Sequence, residues 1–307
     1  MLEVIISLIG KFCMYGGCLM MLGMVLLYFF QNNMLYMPNV PTAETKFPEW
    51  NPEKYKSPSE HMMDFEDVAI KTKDNVKLAG WFVKQPDPQD CETIIFFHAN
   101  AGNIGYRLPN IQKLYEKWEA NILIVGYRGF GHSQGVPTEA GIKLDALAIF
   151  DWALENEQIN NSKIFIFGRS LGGAVGIYLC SKRKENIQGL ILENTFTSIP
   201  DMVDHIFAYL SFFKKSILRI DWNSLNLIKN LEIPVFFISG RNDQIVPCSH
   251  MDRLYEAASK ASYKDMFKVD NGTHNETWFQ AGDDYWYKIK DFIDYEFIKN
   301  KHNKQFE

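Results

Sequence analysis

An apolar run leads directly into a G-x-S-x-G pattern at Lys163-Ile164-Phe165-Ile166-Phe167-Gly168-Arg169-Ser170-Leu171-Gly172-Gly173. This order is typical of a strand that turns sharply into a helix, with a serine at the turn. The glycines beside the serine have no Cβ, so strand and helix can approach closely. Backbone N–H groups at the start of the helix can stabilise an oxyanion formed there. The stretch therefore predicts Ser170 as an exposed nucleophile.

A second G-x-S-x-G pattern lies at Gly131-His132-Ser133-Gln134-Gly135. Tyr127-Arg128-Gly129-Phe130 separates it from the preceding apolar run, and Val136-Pro137 follows it. The pattern indicates a nucleophile only between a strand and a helix, and both are missing next to Ser133. We therefore interpret Ser133 as a loop residue.

The composition is that of a globular protein with a slightly acidic net charge. Hydrophobic residues make up 47% of the 307-residue chain, and the net charge is −5. There is no basic cluster of the kind that binds nucleic acid. There is also no C-x-x-C pair, and Cys91, Cys180 and Cys248 give no disulfide framework.

The N-terminal segment is apolar enough to cross a membrane. None of the 19 positions from 12 to 30 is charged, and a helix of about 20 such residues spans the hydrocarbon core of a bilayer. The alternative is a cleaved signal peptide, but the run is long for one, and Gln31-Asn32-Asn33-Met34 is not a small-residue cleavage site. We therefore predict a retained single-pass anchor over residues 1–31. The prolines in residues 32–60 predict an extended stalk, and residues 61–300 remain for one folded domain.

Short apolar runs alternate with helical patterns in this domain. The runs cover residues 63–70, 76–83, 93–97, 122–126, 163–167, 189–192, 235–239 and 266–269. The helical patterns cover residues 107–118, 139–155, 172–182, 248–260 and 276–299. The alternation predicts an α/β fold in which a mostly parallel, eight-stranded sheet has helices on both faces. The first two runs flank Lys73-Asp74-Asn75 and predict an antiparallel hairpin at one edge.

The connection over residues 195–231 is long for an α/β unit. It carries the apolar residues Ile206, Phe207, Tyr209, Leu210, Phe212 and Phe213. Two interpretations fit this segment. It is either a crossover helix packed on the sheet or a small helical cap whose apolar face covers the site.

A serine nucleophile needs a base, and the base needs an acid that orients it. In a fold with this turn the order along the chain is serine, acid, histidine. Three histidines follow Ser170, namely His205, His250 and His274. Only His274 lies on a loop directly after a predicted strand, where the catalytic residues of α/β sheets gather. We predict His274 as the base.

The predicted acid is Asp243. It lies in a glycine-containing loop after the run that ends at Ser239, and it precedes Pro247 at a predicted helix start. An aspartate in this place can instead cap the helix. Asp270, four residues before His274, is the main rival, and Glu193 at the end of its run is a weaker one.

An oxyanion site needs a second N–H besides that of Leu171. The run 93–97 leads into His98-Ala99-Asn100-Ala101-Gly102-Asn103, a small-residue loop where this kind of fold places the second donor. We predict the Asn100 N–H in this role. His98 precedes the nucleophile in the chain, and we expect it to hold the loop by a hydrogen bond.

Several of these blocks together resemble the bud-emergence (Bem-like) group of membrane-anchored serine hydrolases, which have the α/β-hydrolase fold. The blocks are His98-Ala99-Asn100-Ala101-Gly102-Asn103-Ile104-Gly105, Tyr127-Arg128-Gly129-Phe130-Gly131-His132-Ser133, Phe167-Gly168-Arg169-Ser170-Leu171-Gly172-Gly173-Ala174, Glu193-Asn194-Thr195-Phe196, Gly272-Thr273-His274-Asn275 and Leu35-Tyr36-Met37-Pro38. The resemblance covers nearly the whole chain and implies Ser170 as nucleophile, Asp243 as acid and His274 as base. Relatives of this group include enzymes that remove palmitate from proteins, so it also implies a long-chain acyl ester or thioester as substrate.

We therefore expect a membrane-anchored serine hydrolase that acts on an acylated protein or a lipid, possesses a small helical cap, and needs no cofactor, metal or nucleic acid. One alternative is a serine aminopeptidase-like peptidase, which usually needs an acidic pocket such as Glu193 would supply. The other is a non-enzymatic membrane interaction protein that has kept the fold. The complete set Ser170, Asp243 and His274 argues against the latter.

Overall fold

All eight predicted runs form strands of one sheet in the computed structural model, which describes residues 2–206, 211–212 and 214–303. The strands are β1 (Phe65–Lys71), β2 (Lys77–Val83), β3 (Thr93–Phe97), β4 (Asn121–Val125), β5 (Ile164–Arg169), β6 (Ile187–Glu193), β7 (Val235–Gly240) and β8 (Lys264–Val269). Their order across the sheet is β1-β2-β4-β3-β5-β6-β7-β8. β1 and β2 form an antiparallel hairpin, β2 also pairs antiparallel with β4, and the other pairs are parallel. The predicted mostly parallel, eight-stranded sheet is confirmed.

Helices cover both faces of the sheet. The α-helices of the described residues are α1 (Leu2–Leu35), α2 (Leu108–Trp118), α3 (Glu139–Glu155), α4 (Leu171–Lys182), α5 (Ile199–Ile206), α6 (Lys214–Ile217), α7 (Ser224–Ile228), α8 (Cys248–Ala257), α9 (Thr277–Gln280) and α10 (Asp283–Asn303). Apolar side chains of α3, α4 and α8 form the core on one face, and those of α2 and α10 form the core on the other. The single helix predicted over residues 276–299 is two helices, because the chain turns at Gly282 with a φ of +61°.

The strand order determines where a site can form. The chain runs from β3 outward to β4 and then returns to place β5 on the other side of β3. The connections on either side of this switch point leave in opposite directions, so a crevice opens at the carboxyl ends of β3 and β5. The loop that begins at His98 and the turn at Ser170 both lie at this crevice.

α1 continues to Leu35, beyond the predicted end of the anchor at residue 31. The stretch Ile5–Leu35 is long and apolar enough to cross a membrane, by length and composition. The apolar side chains of its first turns are exposed, as expected of a helix whose surface faces lipid.

The segment that follows α1 lies against the domain, in contrast to the extended stalk expected from its prolines. It contains three short 3₁₀ turns, Ala43–Thr45, Pro48–Trp50 and Pro58–His61, two of which begin with a proline. A proline at the first position of a turn lacks only an N–H that would have no partner there, so it favours a helical start as much as an extended chain. The buried Asn51 side chain exchanges hydrogen bonds of 2.8 and 2.9 Å with that of Asn103 and so fixes the segment in place. The domain boundaries at residues 31 and 60 stay predictions.

The connection between β6 and β7 contains both a crossover helix and a helical cover, the two interpretations given for it above. α7 packs on α4 and α8, as a crossover helix would. α5 contacts α6, and α6 contacts α1, so these two helices form a cover instead. Of the apolar residues singled out above, Ile206 and Phe212 are exposed, whereas Phe207, Tyr209, Leu210 and Phe213 lie outside the described residues.

A buried ion pair connects the hairpin, the loop after β4 and α3. The Arg128 guanidinium is 2.8 Å from Asp145 on α3 and 2.7 Å from Asp74 in the β1–β2 turn. The side chains of Arg128 and Asp145 are buried, whereas that of Asp74 is partly exposed. A charge in such a place is tolerated only when it is paired, so the three elements depend on one another.

We expect Asp145→Ala to lower the free energy of unfolding by about 3 to 5 kcal/mol, because it leaves the Arg128 charge buried without its main partner. The matched control is Asp151→Ala on the same helix, whose pair with Arg183 is nearly half exposed and therefore contributes little. Denaturant unfolding in detergent micelles, followed by circular dichroism, measures both variants. Equal losses would contradict the prediction.

Candidate active site

Ser170 lies in a strained turn between β5 and α4. Its φ is 53° and its ψ is −120°, and a residue with a Cβ adopts such a conformation at a cost of about 1–3 kcal/mol. Two hydrogen bonds hold the turn. The Ser170 N–H donates to the Glu193 carbonyl at 2.9 Å, and the Thr195 hydroxyl donates to the Ser170 carbonyl at 2.6 Å. β6 and the loop after it therefore support the conformation that the elbow requires.

The glycines of the motif are required by backbone contacts. A Cβ on Gly172 would overlap the carbonyl oxygen of Phe97, and one on Gly168 would overlap the backbone of Gly172. Backbone atoms cannot move aside as a flexible side chain can, so these positions accept only glycine. The glycines of the sequence pattern are therefore explained by the close approach of α4 to β3 and β5.

Asp243 and His274 form a hydrogen-bonded pair at the same edge of the sheet. His274 follows β8, Asp243 follows the neighbouring β7, and their Nδ1 and Oδ2 atoms are 2.7 Å apart. The side chain of His274 is 6% exposed and that of Asp243 is 1% exposed. Oδ1 of Asp243 accepts the N–H groups of Ile245 and Val246 at 2.8 Å each, which orients the carboxylate within its own loop. With Nδ1–H donating to Asp243, Nε2 is the basic nitrogen of His274.

Asn194 is a positioning residue that the sequence reasoning missed. Its side-chain amide donates to the His274 carbonyl at 3.1 Å and to the Thr277 hydroxyl at 2.9 Å, while its carbonyl oxygen accepts the Gly240 N–H at 2.8 Å. One buried amide thereby connects the end of β7 with the loop that carries His274. The signals in the sequence were its place directly after β6 and its presence in the block Glu193-Asn194-Thr195-Phe196.

The rival residues are placed elsewhere or are otherwise engaged. Asp270 and His205 are exposed, and His250 is buried with its Nδ1 2.8 Å from the Thr197 hydroxyl. The buried Glu193 accepts hydrogen bonds from Arg169 at 2.7 Å and from the Tyr285 hydroxyl at 3.0 Å. Burial alone would lower the pKa of Arg169, but the Glu193 carboxylate outweighs it and the pKa lies above its ordinary value. Glu193 is therefore committed to an ion pair beneath the elbow.

Ser133, in the second G-x-S-x-G pattern, hydrogen-bonds to the backbone of its own domain. Its hydroxyl donates to the Gly126 carbonyl at 2.6 Å and accepts the Ala79 N–H at 2.9 Å. It is buried, and these bonds join the loop after β4 to β2. No strand directly precedes it and no helix directly follows it, as the sequence indicated.

The loop after β3 is fixed from two sides. His98 is buried, with Nδ1 2.7 Å from the Ala99 carbonyl and Nε2 accepting the Tyr127 N–H at 3.3 Å. Burial, and secondarily the charge of Arg107, lower the pKa of His98 to about 3. On the other side, the Met37 N–H donates to the Asn100 carbonyl at 2.9 Å and the Asn100 amide donates to the Leu35 carbonyl at 2.8 Å. The end of α1 therefore helps to hold the loop that carries one predicted oxyanion donor.

An apolar cavity of about 280 Å³ lies beside Ser170. It is close to the lower end of the size range of ligand pockets, about 300 Å³. Besides Ser170, its walls comprise Asn100, Leu171, Leu27, Gln31, Met34, Leu35, Phe196, Ile199, Met202, Val203, Ile206, Lys214, Ile217, Leu218, Ile220, Ile245 and Val246. Ser170 is only 6% exposed, in contrast to the exposed serine expected from the motif. Residues of α1, α5 and α6 line the cavity beside it.

Comparison with known proteins agrees with this architecture. A family model described as alpha/beta hydrolase fold matches residues 92–219. Protein bem46 of Schizosaccharomyces pombe is 37% identical over 87% of this chain and 87% of its own length. The alpha/beta hydrolase domain-containing protein WAV2 of Arabidopsis thaliana is 35% identical over 91% of this chain and 93% of its own length. The chain belongs to the Bem46-like α/β-hydrolases. The resemblance noted from its sequence blocks is confirmed.

Two further similarities concern the membrane and the chemistry. An uncharacterized membrane protein of Saccharomyces cerevisiae is 35% identical over 87% of this chain and 90% of its own length. A Pyrococcus furiosus esterase superposes with a TM-score of 0.64 at 25% identity, over 78% of this chain and 95% of that chain. The family and the esterase neighbour support a hydrolase.

We expect Gly172→Ala to abolish folding or greatly lower the thermal midpoint, because the added Cβ meets backbone rather than a movable side chain. Gly176→Ala on the same helix is the control. There the Cβ would lie 3.2 Å from the side chains of Ile166 and Leu190, which can shift slightly, and alanine favours the helix by about 1 kcal/mol. Thermal unfolding in detergent compares the variants, and a tolerated Gly172→Ala would refute the close-contact explanation.

A pH dependence follows from the buried, neutral His98. Its lowered pKa contributes stability that is fully present above the unfolded pKa of about 6.5 and is lost as the pH falls toward the folded pKa of about 3. Between these two pKa values, His98 changes the free energy of unfolding by up to about 1.4 kcal/mol per pH unit. Unfolding measured between about pH 6.5 and 4 should show a shallower decline for His98→Gln than for the wild type. Identical slopes would show that His98 does not contribute.

Proposed function

We propose that the protein is a membrane-anchored serine hydrolase that cleaves long-chain acyl esters or thioesters, including palmitoyl groups on proteins. One observation carries the proposal. The hydrogen-bonded Asp243–His274 pair lies at the same sheet edge as the strained Ser170, and Ser170 lines an apolar pocket. Along the chain, nucleophile, acid and base then follow the order that this fold uses.

In the proposed reaction Ser170 Oγ attacks the acyl carbonyl while His274 Nε2 takes its proton. Asp243 keeps the histidine in the required tautomer and stabilises the imidazolium. The Leu171 and Asn100 N–H groups bind the oxyanion of the tetrahedral intermediate. His274 then protonates the leaving alcohol or thiol, and in the second half it activates a water molecule that hydrolyses the acyl-enzyme.

The lining of the pocket favours an acyl chain over a peptide. Its walls are mainly Leu, Ile, Met and Phe side chains, and burying hydrocarbon against them contributes about 0.8 kcal/mol per methylene. Among the described residues that line the pocket, the one cation is Lys214, which is paired with Asp204. A peptidase that binds a substrate amine needs an available carboxylate, and Glu193 is occupied by Arg169.

Membrane anchoring through α1 completes the proposal. The 31 residues of Ile5–Leu35 give a helix of about 46 Å, longer than the hydrocarbon core of about 30 Å. One relative is named a membrane protein. An enzyme held there meets acylated proteins and lipids at the surface where they reside.

We expect Ser170→Ala to abolish covalent labelling by a fluorophosphonate and to reduce hydrolysis of palmitoyl esters and thioesters about 1000-fold or more, because the nucleophile is removed. The matched control, Ser133→Ala, should retain labelling. Detergent-solubilised protein serves for both measurements. Labelling that survives in Ser170→Ala but is lost in Ser133→Ala would overturn the assignment.

Two further measurements separate the alternatives. Labelling of Ser170 without acyl hydrolysis, together with release of amino acids from peptides, would favour the peptidase. Equal rescue of a deletion phenotype by wild type and by Ser170→Ala would favour the interaction protein.

A further inference from the structure

We propose that α1 is itself one wall of the acyl-binding pocket, so that an acyl chain still held in the bilayer reaches Ser170 along the helix that anchors the protein. The inference rests on the proposed hydrolase function and specifies its substrate: a long acyl chain embedded in a membrane. The anchor then selects substrate as well as holding the domain in place.

The contribution of α1 comes from one face of its last turns. Leu27, Gln31, Met34 and Leu35 line the cavity, and their spacing of four, three and one residues places them together on a helix. Leu26, next to Leu27, does not line the cavity and is 48% exposed. The end of α1 thus has one apolar face toward the pocket and another directed outward.

Gln31 holds the cover onto this face. Its side-chain NH₂ donates to the carbonyl of Ile217 at 3.2 Å, and its Oε1 accepts the N–H groups of Arg219 and Ile220 at 2.7 and 3.1 Å. Gln31 is buried, and a buried amide is stable only when its groups are paired. The α1 face and the segment after α6 therefore form a pocket that exists before substrate arrives.

The cavity runs from a buried end to an exposed apolar end. Ser170 and Leu171 are buried, whereas Met34 on α1 and Ile206 on α5 are each 52% exposed. The exposed end therefore lies between α1 and the cover and is apolar. An opening of this kind admits hydrocarbon more readily than a peptide.

The opening lies at the C-terminal end of the apolar stretch of α1, the end at which a helix that crosses the bilayer would leave it. From Leu27 to Leu35 the helix rises about 12 Å, at the C-terminal end of the apolar stretch Ile5–Leu35. Since every methylene moved from lipid into water is unfavourable, a chain that must cross water to reach a site has to pass a high free-energy barrier. A path along α1 removes that requirement.

Leu27→Trp tests the proposal, because a larger side chain at this position narrows the pocket. Leu26→Trp is the matched control, with the same change one residue away on the outward face. Full-length protein in phosphatidylcholine vesicles is treated with a short-chain and a hexadecyl fluorophosphonate. Ser170 Oγ forms a bond to phosphorus, the P–F bond breaks, fluoride leaves and His274 accepts the serine proton. The readout is the ratio of the two labelling rates.

We expect Leu27→Trp to lower the ratio of hexadecyl to short-chain labelling at least tenfold and Leu26→Trp to leave it unchanged. An unchanged ratio in Leu27→Trp, or an equal fall in both variants, would overturn the role of α1 while the hydrolase proposal stands. If Leu27→Trp is not labelled by either probe, Met34→Trp at the exposed end of the cavity replaces it. The same ratio of hexadecyl to short-chain labelling then tests the role of α1. A wild type that neither probe labels would instead refute the hydrolase proposal.

The source of the chain is tested in the same vesicles. They carry either a phospholipid with a radiolabelled palmitoyl chain or a palmitoylated peptide, and release of palmitate from one of them identifies lipid or acylated protein as the source. Release from either supports the proposal. Hydrolysis of a soluble palmitoyl thioester, with no release from either vesicle-held substrate, would contradict it.

Discussion

The site depends on the close backbone contact between α4 and the strands β3 and β5. Gly172 meets the carbonyl of Phe97, and Gly168 meets the backbone of Gly172, so no side chain separates the helix from the sheet. This contact forces Ser170 into its strained conformation and places the start of α4 beside the crevice between β3 and β5. The buried Arg169–Glu193 pair lies directly below, with the Glu193 backbone also accepting the Ser170 N–H. Strain at one residue is thus offset by bonds at its neighbours.

A second constraint joins α1 to the domain. Leu35, the last residue of α1, and Met37 hydrogen-bond to Asn100, whose N–H is a predicted oxyanion donor. The Tyr36 hydroxyl accepts the Trp222 indole N–H at 2.9 Å, and burial raises the pKa of Tyr36 above its ordinary value, so this hydroxyl stays protonated. Gln31 binds the segment after α6. The three contacts fix the end of α1, the loop after β3 and the cover relative to one another.

The sheet could be predicted because each strand is a short apolar run between turn residues. Such a run can be recognised from neighbouring residues alone, without knowledge of distant contacts. Asp243 and His274 were identifiable for a related reason: both follow strands, and the carboxyl ends of parallel strands meet at one edge. Asn194 and Gln31 were missed because their partners lie far away in the chain. Gln31 entered only as part of an unsuitable cleavage site, and nothing near it in the sequence indicates Ile217 or Arg219 as partners.

Prolines and glycines account for the remaining differences. The prolines after residue 36 fix φ at a value compatible with both an extended chain and a 3₁₀ turn, so tertiary contacts such as that between Asn51 and Asn103 decided between them. Gly282 ends one helix and allows another to start, although the apolar pattern continues across it. In both cases the residue is compatible with more than one local structure, so the sequence pattern around it does not decide which one forms.

The way in which the end of α1 is built into the domain has a consequence for cleavage. A protease that cut just after Leu35 would leave the released part with Ser170, Asp243 and His274 in place. The released part would nevertheless lose one wall of its cavity and the Leu35 carbonyl that accepts from Asn100. With the anchoring proposed above, shedding from the membrane would therefore not yield a freely diffusing copy of the anchored protein, but one with an opened and less selective cleft.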